Sequence, residues 1–128
     1  MKKGITVLII FILTITFAIV ELVNVRTILD SMENSITYLH QEYELNEDNI
    51  SIFYNKVGDI KEYWKEKVTW LCFLFNHRDL SVITDSINRL QVYTKNDDYD
   101  NAIAELAVLK EYSSENCHIM GFNINNVL

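Results

Sequence analysis

An uninterrupted apolar run near the N-terminus constrains this chain more than any other feature. Between Gly4 and Val23 the only charged residue is Glu21, and Lys2 and Lys3 lie directly before the run. An α-helix rises about 1.5 Å per residue, so about 20 apolar residues cross a hydrocarbon core of about 30 Å. The run has no polar face, which argues against a core helix of a soluble protein. It therefore predicts a membrane-spanning helix over residues 4–23.

The charges on either side of this run predict its orientation. Two lysines and the amino terminus precede it, and the first basic residue after it is Arg26. The positive-inside rule then places the N-terminus in the cytoplasm. We predict a single-pass cell-membrane protein, with an uncleaved signal-anchor at residues 1–23 and an extracytoplasmic domain at residues 24–128. A cleaved signal peptide is the alternative, but Thr16-Phe17-Ala18 is a poor cleavage site.

Composition narrows both the fold and the partners of the domain. The chain has no proline and only three glycines, which favours helices throughout. With Glu21, Lys2 and Lys3 set aside, 17 acidic and 9 basic residues remain, a net charge of −8. Such a surface repels phosphate backbones, so we predict no nucleic-acid partner.

Apolar residues at three- and four-residue spacing predict four helices after the anchor. No proline or glycine interrupts the chain from Ile5 to Val57, so the first of these helices is expected to continue the anchor as one rod. The turn at residues 46–49 is expected to cap the second helix through its side-chain oxygens. The predicted fold is all-α, with an N-terminal transmembrane helix followed by a small antiparallel bundle of about four helices in two helical hairpins. The four helices are expected over residues 24–45, 49–75 and 76–95 and after the turn at 96–98.

The second predicted helix carries two apolar strips. Tyr63, Trp70 and Phe73 lie off the main strip and form the second one. A helix with two apolar faces either lies centrally between two neighbours, the commoner case, or keeps one face for a partner. We take these three residues as the candidate interaction surface.

A metal site is the main chemical possibility that the histidines raise. Glu115 and His118 share one helix face, and His40 with Glu44 offers a second pair. Di-iron bundles need two Glu-x-x-His motifs and two further carboxylates, whereas this chain has one such motif. We therefore predict no metal and no cofactor, with Glu115, His118 and His40 as the remaining candidates.

Other catalytic signatures do not occur in the sequence. No Gly-x-Ser-x-Gly elbow or clustered glycines appear, so we predict that the protein is not an enzyme. His77 opens the third predicted helix, where a capping role is favoured over a pH-responsive one. Cys72 and Cys117 are expected to be buried thiols, with a disulfide as the alternative.

Several positions give the chain a resemblance to a known family. The matching residues are Trp64, Asn76, His77, Arg89, Leu90 and Glu105, together with the basic start, the anchor and the ending Asn126-Val127-Leu128. With these residues the chain resembles domain-of-unknown-function family 4363, a group of short membrane-anchored bacterial proteins. The resemblance implies a bacterial cell-envelope location and brings no known activity.

Two functional hypotheses follow. The first is a non-enzymatic, membrane-tethered module that binds another envelope protein, or a second copy, through Tyr63, Trp70 and Phe73. The alternative is a small-ligand or metal sensor that uses His118 and Glu115.

Overall fold

The apolar run continues without a break into the bundle. In the computed structural model, which describes the backbone of residues 1–120 and the side chains of residues 1–114, helix α1 extends over Lys2–Leu45. Every side chain from residue 1 to residue 20 is exposed. After Glu21 a single stripe of α1 is buried, comprising Val25, Ile28, Leu29, Met32, Ile36, Leu39 and Tyr43. The predicted continuous rod is confirmed.

Length and composition single out α1 among the helices of the described part of the chain. It is the one helix there that is long and apolar enough to cross a membrane. Its most apolar 18-residue window has a mean hydropathy of 2.7, and none of that window is buried.

The second predicted helix is shorter than expected and is split. A 3₁₀ helix covers Ile50–Phe53, and α2 follows over Tyr54–Leu71. The chain then turns tightly, because the backbone N–H of Phe73 donates to the Trp70 carbonyl (3.1 Å) and that of Leu74 to the Leu71 carbonyl (2.9 Å). Such three-residue bonds tighten the end of a helix and stop it. The predicted extension to residue 75 is therefore wrong.

Helices α3 and α4 complete the bundle. α3 covers His77–Lys95, with the predicted ending at Lys95, and α4 covers Tyr99–Met120. α1 packs mainly on α4, α4 on α3, and α3 on α2. The all-α bundle is confirmed, and its core contains Leu39, Trp64, Ile83, Leu90, Leu106 and Leu109 among others.

The bundle has two different ends. At the end away from the apolar run, which we call the far end, α1 stops at Leu45. The turns at residues 46–49 and 96–98 lie together there, and the Asp97 carboxylate accepts a hydrogen bond from the Ser51 N–H at 2.7 Å. Asp97 has a φ of 54°, the left-handed conformation that aspartate tolerates better than most residues. At the other end, next to the apolar run, α2 passes into α3 through residues 72–76.

The expected local cap of the second helix is wrong. Asn49 makes no side-chain capping bond. The carboxylate that binds the first turn, at the Ser51 N–H, belongs to Asp97, 46 residues further along the chain. Capping here depends on tertiary structure, so the 46–49 sequence alone does not reveal it. The turn-plus-cap expected at residues 96–98 is confirmed, since the Asp98 carboxylate accepts from the Asn101 N–H at 3.3 Å.

Candidate functional site

The open face of the bundle lies between α1 and α2. These two helices contact each other less than the other neighbouring pairs do, and three clefts follow the seam between them. The largest, of about 480 Å³, lies next to the apolar run and includes Glu21 and Trp70. The cleft that follows it along the seam, of about 240 Å³, lies between Met32 and Ile60. We call this seam, from Glu21 to Tyr38 on α1 and from Lys56 to Trp70 on α2, the α1–α2 groove.

The α1 wall of the groove includes a row of short polar side chains beside the apolar Ile28 and Met32. Asn24, Thr27, Ser31 and Ser35 recur at three- and four-residue spacing and therefore share one helix face. Such side chains offer α2 little apolar area, which explains why the two helices pack loosely here. This wall escaped the sequence reasoning, although the spacing of the small polar residues was a usable signal.

The α2 wall is aromatic and charged. Tyr63 and Trp70 are half-buried, contact the core and line the cleft beside Glu21. The ammonium group of Lys67 lies 5.6 Å from the centre of the Tyr63 ring, within range of a cation–π interaction. At the opposite end of the groove, the ammonium group of Lys56 on α2 lies 5.4 Å from the centre of the Tyr38 ring on α1. The groove therefore combines aromatic surface with cations along its length.

The three residues of the predicted interaction surface do not lie together. Tyr63 and Trp70 line the groove, whereas Phe73 lies past the end of α2 and is 84% exposed. The early end of α2 is the reason, because it removes Phe73 from the helix face that it shares with the other two in an ideal helix. An interaction role for Tyr63 and Trp70 stays a prediction.

Ser86, Arg89 and Glu105 form a polar cluster between α3 and α4. The Arg89 guanidinium donates to both Glu105 oxygens, from Nε at 2.6 Å and Nη2 at 3.2 Å, and the buried Ser86 hydroxyl donates to Oε2 at 2.5 Å. Burial tends to raise the pKa of Glu105, but the bonds from Arg89 and Ser86 and the charge of Arg89 outweigh it and lower that pKa. The same bond raises the pKa of Arg89. All three groups are engaged with one another, so this cluster holds two helices together.

The other family-like positions also serve the fold. Trp64 is buried and its indole N–H donates to the Thr84 hydroxyl at 2.8 Å. Leu90 is a core residue. Asn76 caps α3 by accepting from the Arg78 N–H at 2.9 Å, so the capping role considered for His77 belongs to Asn76. His77 is the exposed first residue of that helix.

Of the three metal candidates, only His40 lies among the side chains that the structure describes. His40 Nδ1 lies 3.6 Å from the Glu44 carboxylate on the same helix. Glu115, His118 and Cys117 lie outside the described side chains. Within residues 1–114, no group of three histidine, cysteine or acidic side chains is placed to hold a metal ion. Cys72 carries a free, half-buried thiol.

These observations define the class of protein: a helical bundle whose first helix extends as an exposed apolar rod and whose α1–α2 face is open. The family model described as Domain of unknown function (DUF4363) matches residues 19–127. The chain belongs to this family, and the resemblance seen in the sequence is confirmed. No curated protein and no solved structure matches the chain.

Proposed function

We propose that this protein is a membrane-anchored, non-catalytic interaction module of the bacterial envelope, in which the α1–α2 groove binds another membrane protein. One observation carries the proposal: the groove opens at Glu21, at the very end of the apolar run. A partner that lies in the same membrane would reach this opening directly. Homo-oligomerisation through the groove is the second form of the same proposal.

The chemistry of the groove supports a polypeptide partner. Trp and Tyr combine a large apolar area with a polar group and dominate the energetics of protein contacts. Tyr63 and Trp70 provide such anchors on one wall, while the serine and threonine hydroxyls of α1 provide hydrogen-bonding groups on the other. Inside the bundle, by contrast, the polar clusters are engaged in joining helices, as with Arg89 and Glu105.

Membrane insertion and orientation form the other part of the proposal. Residues 4–23 span the bilayer, and Lys2 and Lys3 hold the N-terminus in the cytoplasm. Protease added outside intact spheroplasts is expected to digest the domain, and protease added to inside-out vesicles is expected to leave it intact. The opposite pattern would reverse the topology, and recovery of full-length chain in the soluble fraction would refute anchoring.

Site-specific photocrosslinking tests the groove. A photoreactive residue at Thr27, exposed on the groove wall, is expected to crosslink a membrane protein in native membranes. The matched control is Val92, which is 55% exposed on α3, away from the groove. The Thr27 adduct is expected to disappear in Trp70→Glu, with unchanged helicity by circular dichroism. Equal crosslinking from Thr27 and Val92, or persistence of the adduct in Trp70→Glu, would refute the proposal.

A further inference from the structure

Antiparallel pairing with α1 carries the end of α2 back to the apolar run. Lys56, near the start of α2, lies over the Tyr38 ring, and Ile60 shares a cleft with Met32. Ten residues later, Trp70 shares a cleft with Glu21 and Asn24. Each turn of α2 thus moves about 5.4 Å toward the N-terminus of α1. The residues that follow Trp70 therefore lie beside the last turns of the exposed apolar segment.

The chain at this point is apolar and points outward. Residues 72–76 read Cys-Phe-Leu-Phe-Asn and carry no charge. Phe73 is 84% exposed and Leu74 is 53% exposed. Their backbone N–H groups are bonded within the turn, to the Trp70 and Leu71 carbonyls, so entry into an apolar medium leaves neither of these donors unpaired.

The far end of the bundle has the opposite character. Its two turns carry four acidic residues, Glu47, Asp48, Asp97 and Asp98, and no aromatic residue. Burial, followed by the negative charges of Glu47 and Glu44, raises the pKa of Tyr99 there. At the end next to the apolar run, Lys67 and Arg78 flank the turn, each with an acidic neighbour, Glu66 or Asp79. The turn itself carries no charge, so repulsion from anionic lipids is weaker there than at the far end.

We propose that residues 72–76 form a second membrane contact, in which Phe73 and Leu74 enter the interfacial region of the bilayer that holds the anchor. The occupant of this surface is lipid, because the antiparallel pairing of α2 with α1 brings this uncharged, exposed turn next to the end of the apolar run. Aromatic and aliphatic side chains flanked by lysine and arginine are typical of interfacial segments. Two contacts would hold the domain at a fixed angle and keep the mouth of the α1–α2 groove against the membrane surface. This inference rests on the membrane anchoring proposed above.

Depth-dependent fluorescence quenching tests this contact in the full-length protein. A genetically encoded dansyl amino acid replaces Leu13, Phe73 or Leu45 in turn, and each variant is reconstituted into phosphatidylcholine–phosphatidylglycerol vesicles that contain nitroxide lipids. These three side chains are all strongly exposed, so the substitutions leave the core intact. Leu45, at the far end, is the matched control for Phe73. We expect loss of emission at position 13 with nitroxides deep in the acyl chain, loss at position 73 with shallow nitroxides, and no loss at position 45.

The outcomes separate the two proposals. Absence of quenching at position 13 would refute the membrane anchor itself. Quenching at position 13 without quenching at position 73 would overturn the second contact while leaving the anchor in place. A blue-shifted but unquenched dansyl group at position 73 would show that protein covers the turn, from a partner or a second copy, and would also overturn it. Quenching that is equal at positions 45 and 73 would mean that the domain lies flat on the membrane, which contradicts a contact specific to this end.

Discussion

The two halves of α1 are equally helical and differ in what surrounds them. From Lys2 to Val20 apolar side chains cover the whole circumference and none is buried. From Val25 to Tyr43 the apolar side chains are confined to one stripe, and that stripe is the core of the bundle. The comparison teaches that the arrangement of apolar residues around a helix, more than their number, indicates its surroundings: a uniform surface suits lipid, and a stripe suits a protein core.

The same substitution in each half gives the largest expected contrast. Leu39 is fully buried and Leu13 is 63% exposed. Leu39→Ala is expected to lower the free energy of unfolding of the domain by about 2–5 kcal/mol, because it removes packed atoms and leaves a cavity. Leu13→Ala is expected to leave it unchanged. Urea unfolding in mild detergent, followed by the fluorescence of Trp64 and Trp70, measures both free energies. Equal losses would contradict the division of α1 into two environments.

The second half of α1 ends in a buried titratable group, Tyr43, whereas every side chain from residue 1 to residue 20 is exposed. The Tyr43 hydroxyl lies 2.5 Å from that of Thr94, and burial, partly opposed by this bond, raises the pKa of Tyr43 from 10.0 to about 12. The folded state thus retains a proton that the unfolded state loses, so this contribution is complete below pH 10 and is lost as the pH rises toward 12. The full loss is equivalent to at most about 3 kcal/mol.

Tyr43→Phe isolates this effect. The variant is expected to be less stable at neutral pH by about 1–3 kcal/mol, because the buried Thr94 hydroxyl loses its partner, and to lack the alkaline loss due to Tyr43. Tyr38→Phe, at a 46% exposed position on the same helix, is the control and keeps the wild-type profile. Unfolding free energies measured from neutral to strongly alkaline pH decide the matter, and an identical alkaline loss in Tyr43→Phe would refute the assignment.

The ion pair between α3 and α4 is a second pH-dependent contact, in the same bundle that buries the α1 stripe from Val25 to Tyr43. The pKa of Glu105 is lowered from 4.5, so its stabilising contribution is present above that value and is lost as the pH falls through the folded-state pKa. Glu105→Gln is expected to cost about 1 kcal/mol at neutral pH, since Arg89 is half-exposed and water screens the pair. It should also flatten the acid limb of the stability profile.

Glu111→Gln, at an exposed position of the same helix, is the control for this acid dependence. Thermal unfolding across the acid range compares the two variants. A wild-type acid limb in Glu105→Gln would show that Glu105 does not carry it.

The smallest effect is expected from a substitution in the apolar first half of α1. The Thr14 hydroxyl donates to the Ile10 carbonyl one turn earlier, at 2.8 Å, so its polarity is satisfied within the helix. Thr14→Val is therefore expected to change neither domain stability, within about 0.5 kcal/mol, nor retention in carbonate-washed membranes. Thr94→Val, the same change in the core, is expected to destabilise the domain because it removes the partner of Tyr43. Equal effects at the two positions would contradict the difference in surroundings between the two halves of α1.

Periodicity predicted the helices well and the relations between them poorly. The buried stripe of α1, from Val25 to Tyr43, and the core position of Leu106 follow from spacing of three and four residues. The end of α2 at Leu71 does not follow, because Phe73 and Phe75 continue the apolar pattern and nothing in the turn breaks a helix. The sequence indicated an apolar strip of Tyr63, Trp70 and Phe73 but no groove. The serine and threonine side chains of its α1 wall were missed, because small polar residues look like an ordinary solvent face.

The apolar rod, the helical class and the buried stripes follow from the sequence, since each depends on residues close together in the chain. Three features follow only from how the helices pack: the bond from Asp97 to the first turn after α1, the pair of Arg89 and Glu105, and the α1–α2 groove. The partners in these contacts lie far apart along the chain. Local patterns fix which face of a helix is apolar. Contacts between residues 16 or 46 positions apart form only when the helices pack against one another.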